Sequence, residues 1–386
     1  MDFKVFCLIL FFCFAGYFFL NPFPHGVDSY FYLSSVCGRG FDLSAEPVLT
    51  RLVFSVFPCD LFLVKILQFC SVLVAVLAVI HIAKIFHKDN YVLAGLFVFF
   101  APVFLAEFAK FESELFAFPL LFWADYFVLR GLKEGLWKWQ ALGLFFVLVA
   151  SGFWQGAVFY LIPFGLMSVL FSPFLLAAIL LFKDKMDGNI FVKAVLWESS
   201  PYIGLTFLGL FLVTFLGLVF EPLVFLPGFF WLVLTCFNAK FAVHAVPFLA
   251  VGVLNLYNNK NFNNLDKKFK QPIWETVKIV LKISGVVLMV VVFLILAFFW
   301  PPTIGQIGLV KEFVDFQEQG YDTKNDWGFG YWVRYWGGEP TAWGGGEWIQ
   351  DYNTGVILTG RDLNCLILGQ ANRMFLYDCN ELTRAK

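Results

Sequence analysis

The chain has 386 residues, of which 60% are hydrophobic, 20% aromatic and only 14% charged, and phenylalanine alone occurs 53 times. That composition excludes an ordinary soluble domain, whose interior has no room for so much apolar surface, and predicts an α-helical multi-pass membrane protein. The net charge of −1 leaves no electrostatic footprint for nucleic acid.

Met1–Leu20 has the length of a signal peptide, but no small-residue cleavage site follows it, so Phe3–Leu20 reads as the first span. The next apolar runs are Leu61–Phe86, Tyr91–Ala106, Leu115–Leu129, Trp139–Ser151 and Gln155–Phe171. Pro173–Phe182, Ser200–Phe220, Leu223–Phe237, Phe241–Leu256 and Ile273–Trp300 complete a set of about eleven. Several fall short of the roughly 20 residues that cross a bilayer unaided. Residues 1–300 thus form a polytopic domain, and residues 301–386 a small external α/β or β-containing domain rich in Trp and Gly. Within the tail, Thr354–Thr359 and Leu363–Leu368 read as strands around Gly360-Arg361-Asp362, with Met374–Tyr377 a third. Of eight Cys, those at 7, 13, 70 and 236 lie in apolar runs, and no CxxC pair or His cluster marks a zinc site. Cys365 and Cys379 can form a disulfide in an oxidising exterior.

Orientation follows from the basic loops. Lys4 and the segments Lys84–Lys88, Arg130–Lys138 and Lys260–Lys270 are expected to face the cytoplasm. The N-terminus is then inside, while Asn21–Asp60, Glu107–Glu114 and the tail are outside. Lys183, Lys185 and Lys193 fall outside in this arrangement, against the rule. Joining Pro173–Phe182 to its neighbour as one kinked helix and making Leu223–Phe237 re-entrant gives nine spans and removes that conflict.

The outer face then gathers acids. Glu112 and Glu114 open the run Leu115–Leu129, and at a bilayer centre each would cost about 2.5–3.5 kcal/mol. In a continuous helix, positions i and i+2 point apart, but at a loop-to-helix junction they can converge on a hard cation such as Mg²⁺ or Mn²⁺. The alternative is two acids stabilised by a helix N-terminus. Asp28 precedes the aromatic stretch Ser29-Tyr30-Phe31-Tyr32, where it reads equally as a turn or N-cap residue. Glu198 stands before Pro201 at another span entrance. Lys240 lies between two apolar runs, either snorkelling to the interface or set against an anionic lipid headgroup. In the tail, Trp327, Tyr331 and Trp332 sit among Gly328, Gly330, Gly337 and Gly338, which are expected to form tight turns. Flat rings of this kind suit sugar or peptide contacts, and an interfacial aromatic belt has the same composition.

The order of these elements resembles the catalytic subunit of oligosaccharyltransferase, a GT-C-type membrane glycosyltransferase. Asp28-Ser29-Tyr30-Phe31-Tyr32 is similar to its first-loop Asp followed by aromatics, and Glu112-Ser113-Glu114 with Pro119 to its acidic motif. Leu196-Trp197-Glu198 is similar to its SVSE or TIxE motif, and Lys240-Phe241 with Pro247 to its Arg-Phe pair. Asp326-Trp327-Gly328-Phe329-Gly330, followed by Tyr331-Trp332, resembles its WWDYG signature with Gly328 where that signature has Asp.

The resemblance implies a transferase that moves a glycan from a polyprenyl-phosphate or -pyrophosphate donor to an acceptor on the external face, such as Asn of a protein. Asp28, Glu112 and Glu198, with Glu114, would hold a divalent cation (Mn or Mg) and include the catalytic carboxylates. Lys240 would meet the phosphate, and Asp326, Trp327, Tyr331 and Trp332 the acceptor. The expected partners are the lipid-linked donor, a peptide or other acceptor, and membrane lipids. The protein belongs in the plasma membrane, or the endoplasmic reticulum of a eukaryote. The competing readings are a catalytically inactive relative serving as a binding or assembly subunit, and a transporter.

Overall fold

The computed structural model describes residues 23–174, 221–258, 303–342 and 354–379, apart from short gaps that include 40–42, 88–90 and 238–240. Two compact units divide the chain. The helical unit comprises Met1–Gly16, Phe69–Phe108 and Ser113–Leu294; the mixed unit comprises Tyr17–Gln68, Ala109–Glu112 and Ile295–Lys386. The C-terminal tail therefore shares its unit with the first loop and with a four-residue segment just ahead of Ser113.

Among the described residues, two helices are long and apolar enough to cross a membrane, Leu61–Phe86 with mean hydropathy 2.5 and Glu114–Glu134 with 1.4. At 1.5 Å per residue the first is about 39 Å long. It is apolar on every side, and Phe62, Val74 and Leu77 remain exposed on it, as on a helix with an apolar solvent at its back. Other expected spans are modified. Tyr91–Ala106 is two short helices, Leu93–Phe99 and Pro102–Phe108, broken where Pro102 has no N–H to donate. Gln155–Phe171 is a 3₁₀ turn (Gln155–Tyr160), a helix (Leu161–Met167) and another 3₁₀ turn (Val169–Phe171). Leu223–Phe237 and Phe241–Leu256 correspond to helices Pro222–Phe237 and Ala242–Asn258, which keep Pro227 and Pro247 in their interiors. Phe3–Leu20, Ser200–Phe220, Ile273–Trp300 and most of Pro173–Phe182 lie outside the described residues.

Within the helical unit, Glu114–Glu134 and Trp137–Ser151 form a tight antiparallel pair. Gly135 turns the chain at φ +68°, and a Cβ at Gly143 would come within 2.6 Å of Val128. At the far end of this pair the Arg130 guanidinium lies 4.2 Å from the Trp139 ring, and Lys133 Nζ donates to the Ile85 carbonyl at 2.6 Å. The basic segments at 84–88 and 130–138 thus meet at one end of the unit.

In the mixed unit, helix Asp28–Val36 is followed by Val48–Val56, and a disulfide between Cys37 and Cys59 closes the segment between them. The tail begins with helix Ile304–Glu318, fixed by a capping box in which Thr303 and Gln306 exchange side-chain and backbone hydrogen bonds. Strands β1 (Thr323–Asn325), β2 (Val356–Thr359), β3 (Leu366–Ala371) and β4 (Met374–Asp378) pair in the order β1-β2-β4-β3. The β1–β2 pair is parallel and the rest antiparallel; every residue of the central strand β2 is buried. Leu366 pairs with Asp378, which puts Cys365 and Cys379 one step beyond the end of the ladder, where they form the second disulfide.

The tail also departs from expectation. Gly328 and Gly330 do not form turns but lie inside the helix Trp327–Tyr335, and the tight turn comes at Gly337, with φ +96°.

Each disulfide closes a short loop, of 22 and 14 residues of separation, worth about 3 kcal/mol in the chain-entropy model. Cys37→Ser is therefore expected to lower the unfolding free energy of the mixed unit by about 3 kcal/mol. Denaturant unfolding of the purified protein, with and without reductant, measures it, and reductant should have less left to remove in the variant.

Candidate functional site

Three stretches far apart in sequence build one centre in the mixed unit: residues 25–36, 109–112 and 327–335. The His25 N–H donates to the Ala109 carbonyl at 2.9 Å, and His25 and Lys110 form an isolated parallel bridge. The Ser29 hydroxyl donates to the His25 carbonyl and accepts from the Phe111 N–H at 2.8 Å. Two side chains from the first turns of Leu61–Phe86 complete the frame. Gln68 donates to Ala109 O at 2.5 Å, and Lys65, only 3% exposed, donates to Phe23 O at 2.8 Å. Buried backbone groups need such partners, and here side chains supply what a strand neighbour would.

This frame fixes where the acids stand. Asp28 is exposed in the first turn of Asp28–Val36, where a carboxylate favours the helix dipole. Glu112, 5% exposed, follows directly on Phe111. One hydrogen bond and a residue step on either side therefore link the backbones of Asp28 and Glu112. Gly26, at φ +81°, lies close beneath, and a Cβ there would meet Glu112 Oε1 at 3.4 Å. Glu114 is buried in the first turn of Glu114–Glu134, accepts from Ser113 Oγ at 2.9 Å, and belongs to the helical unit. Glu198 and Lys240 lie outside the described residues. Among the described residues, no three His, Cys, Asp or Glu side chains form a group able to hold a metal ion.

A chain of rings joins the tail helix to the acidic segment. Tyr331 meets Phe31 at 5.5 Å, Phe31 meets Tyr32 at 5.2 Å, Tyr32 stacks on Phe54 at 4.8 Å, and Phe54 meets Phe111 at 5.0 Å. Tyr30, fully buried, sits between Trp332 at 5.7 Å and Tyr335 at 5.3 Å. Such pairs are worth about 0.5–1.5 kcal/mol each beyond burial. Arg334 adds a hydrogen bond to the Arg39 carbonyl at 2.7 Å.

The ring chain also sets protonation. Burial and then the charge of Asp28 push the Tyr331 phenol up, so it stays a donor at neutral pH. Burial pushes the Tyr30 phenol well up, with Tyr335 adding to it. Burial, then Lys65 and Lys110, hold the His25 imidazole well below its usual range, so it is neutral.

The expected acceptor residues divide by role. Trp327 opens its helix. Tyr331 is half-buried beside Asp28, whereas Trp332 is 2% exposed against Tyr30 and Phe329 and acts as a packing residue. Asp326 Oδ2 accepts from the Thr359 hydroxyl at 2.5 Å and from the Gly360 N–H at 3.0 Å, tying the start of the helix to the end of β2. An open cleft of about 500 Å³ nearby in the tail is lined by Gln317, Tyr321, Asp322, Glu339 and Thr341.

The structural roles of His25, Lys65 and Gln68 go beyond the sequence reading, which takes Leu61–Phe86 as one apolar run. Two polar residues three apart, hence on one face of that helix, were the available signal. No protein-family model matches the chain, and no curated protein matches it in sequence.

Asp326→Ala removes the acceptor for both Thr359 and Gly360. A hydrogen bond to a charged group is worth about 1.5–3 kcal/mol, so the mixed unit is expected to lose stability of that order, with faster hydrogen exchange at the Gly360 amide. Unchanged exchange there would rule out the structural role of this carboxylate.

Proposed function

We propose that the protein is a polytopic membrane glycosyltransferase of the GT-C type, similar to the catalytic subunit of oligosaccharyltransferase, acting on a polyprenyl-phosphate- or pyrophosphate-linked donor at the external face. One observation carries the reading. The stretches of Asp28, Glu112 and Tyr331, which resemble three motifs of that family, fold into a single unit around shared hydrogen bonds and rings. A transporter would have little use for a tail built into such a centre.

The chemistry asks for neutralisation of charge that develops on the leaving phosphate. Carboxylate oxygens suit a hard divalent cation, and within the mixed unit Asp28 and Glu112 are the residues that would hold Mg²⁺ or Mn²⁺. When bound, the ion supplies Lewis acidity toward the phosphate oxygens. Lys240 would set its ammonium against the same phosphate. Asp28 is exposed and accessible to an acceptor hydroxyl or amide, and the Tyr331 phenol, held protonated beside it, can donate a hydrogen bond. The Asp326 carboxylate serves Thr359 and Gly360, which favours an acceptor recognised through Tyr331 and the tail cleft over direct reading of a sequon hydroxyl by Asp326.

Eleven spans, with the N-terminus in the cytoplasm and the tail outside, fit this chemistry. The meeting of the basic segments at one end of the helical unit supports a common cytoplasmic side for them, and both disulfides fall in the mixed unit.

Two experiments test the proposal. Purified protein incubated with lipid-linked glycans, an Asn-x-Thr peptide and Mn²⁺ is expected to transfer sugar, scored by mass. Asp28→Asn and Glu112→Gln should each lower the rate about 10²–10³-fold, the range for losing one electrostatic stabiliser, and chelator should abolish it. Donor binding without transfer to any acceptor would establish the inactive-relative reading instead. For topology, a cysteine at the exposed position Glu339 should react with an impermeant reagent in sealed cells. Reaction only after permeabilisation would reverse the orientation.

A further inference from the structure

The helical unit encloses a second polar group that the proposed transfer reaction does not use. Asp125 stands in the middle of Glu114–Glu134, fully buried, and neither carboxylate oxygen has a hydrogen-bond partner among the described residues. Phe118, two turns before Asp125 on the same helix face, meets the His244 ring, and Tyr160, also fully buried, sets its hydroxyl 2.8 Å from His244 Nδ1. The His244 imidazole is enclosed by rings: Trp154 stacks on it at 5.2 Å, Trp231 lies at 4.7 Å and Phe118 meets it edge-on at 4.9 Å.

These surroundings are unusual for acids and bases. An ionised carboxylate without a partner is costly in an apolar interior, and ionisable residues kept inside apolar helices mark sites that exchange protons or ions. The π faces of Trp154 and Trp231 favour a cation at the imidazole. A dehydrated metal cation would need about six oxygen ligands, and a carboxylate and a phenol supply too few. A proton needs only one acceptor at a time.

We propose that Asp125 and His244 form a buried proton-binding site, with Tyr160 positioning the imidazole, and that its ligand is a single exchangeable proton. When occupied, the site holds the proton either on the Asp125 carboxyl with His244 neutral, or on His244 as imidazolium with Asp125 ionised. Release to water breaks that one O–H or N–H bond and leaves carboxylate and neutral imidazole, with no co-reactant. Other titratable groups on the elements packed around His244 are Glu107 on Pro102–Phe108, Glu114 at the start of the Asp125 helix, and His87, which bonds Asn255 at the other end of Ala242–Asn258. The proposal stands independently of the transferase reading.

Tryptophan fluorescence of the full chain in lipid nanodiscs, followed from acid to neutral pH, tests it, because an imidazolium stacked on indole quenches. The wild type is expected to show a pH-dependent transition that is absent in His244→Phe and displaced by about one pH unit or more in Asp125→Asn. Replacing sodium by choline should leave it unchanged. Near-UV circular dichroism checks that each variant is folded. If either is not, the carboxylic-acid band in the infrared spectrum of the wild type, with Tyr160→Phe as the softer variant, reads the same proton. Superimposable fluorescence curves for folded variants, a transition that follows sodium rather than pH, or an infrared spectrum with no pH-dependent carboxyl band would each overturn the proposal.

Discussion

The hydrogen bond from Phe111 N–H to Ser29 Oγ, with the neighbouring His25–Ala109 bond, is the contact on which the mixed unit depends. It takes four residues that would otherwise be a plain connection between helices and fixes them against the first loop. Glu112 then has no choice of position, because Phe111 is locked on one side by Ser29 and packed by Phe54 and Phe57. Lys65 and Gln68 extend the same frame into the helix Leu61–Phe86. The loss of Ser29 would therefore release both the acid and the start of the Asp28–Val36 helix, though it carries no chemistry itself.

Much of the fold is legible in the sequence, and the misreadings have physical causes. Leu61–Phe86 is a helix with the expected limits because no Pro or Gly breaks it over its 26 residues. Tyr91–Ala106 is two helices rather than one because Pro102 removes a donor in its second half. Three of the four tail strands are placed within three residues by their β-branched and aromatic content, and the ladder explains the Cys365–Cys379 pair. The helix Trp327–Tyr335 is the instructive miss. Gly328 and Gly330 each cost about 1 kcal/mol in a helix, so local propensity argues for turns. Burial of Trp332, Val333 and Tyr335, two of them against Tyr30, outweighs that cost, and no local rule could report a partner three hundred residues away.

The candidate site divides in the same way. Its acids were visible as charges out of place at the edges of apolar runs, and Asp28 and Glu112 do share a unit. The residues that hold them were less plain: Lys65 and Gln68 showed only as two polar positions on one face of an apolar helix, and Ser29 announced nothing. Asp125 is different: an acid inside the run Leu115–Leu129 was in plain view, and only the apolar average of its neighbours concealed it. His244 required the fold, because its cage comes from Phe118, Trp154 and Trp231 on three separate stretches.

The two disulfides impose a rule of parity. Disulfides persist on the oxidising side of a membrane, so Cys59 and Cys365 end on the same side however the intervening chain is threaded. Between them the polypeptide can cross the bilayer only an even number of times. Ten of the eleven expected spans lie in that interval, and the nine-span variant leaves eight. An odd number of crossings between Cys59 and Cys365 would leave one of the two bridges on the reducing side.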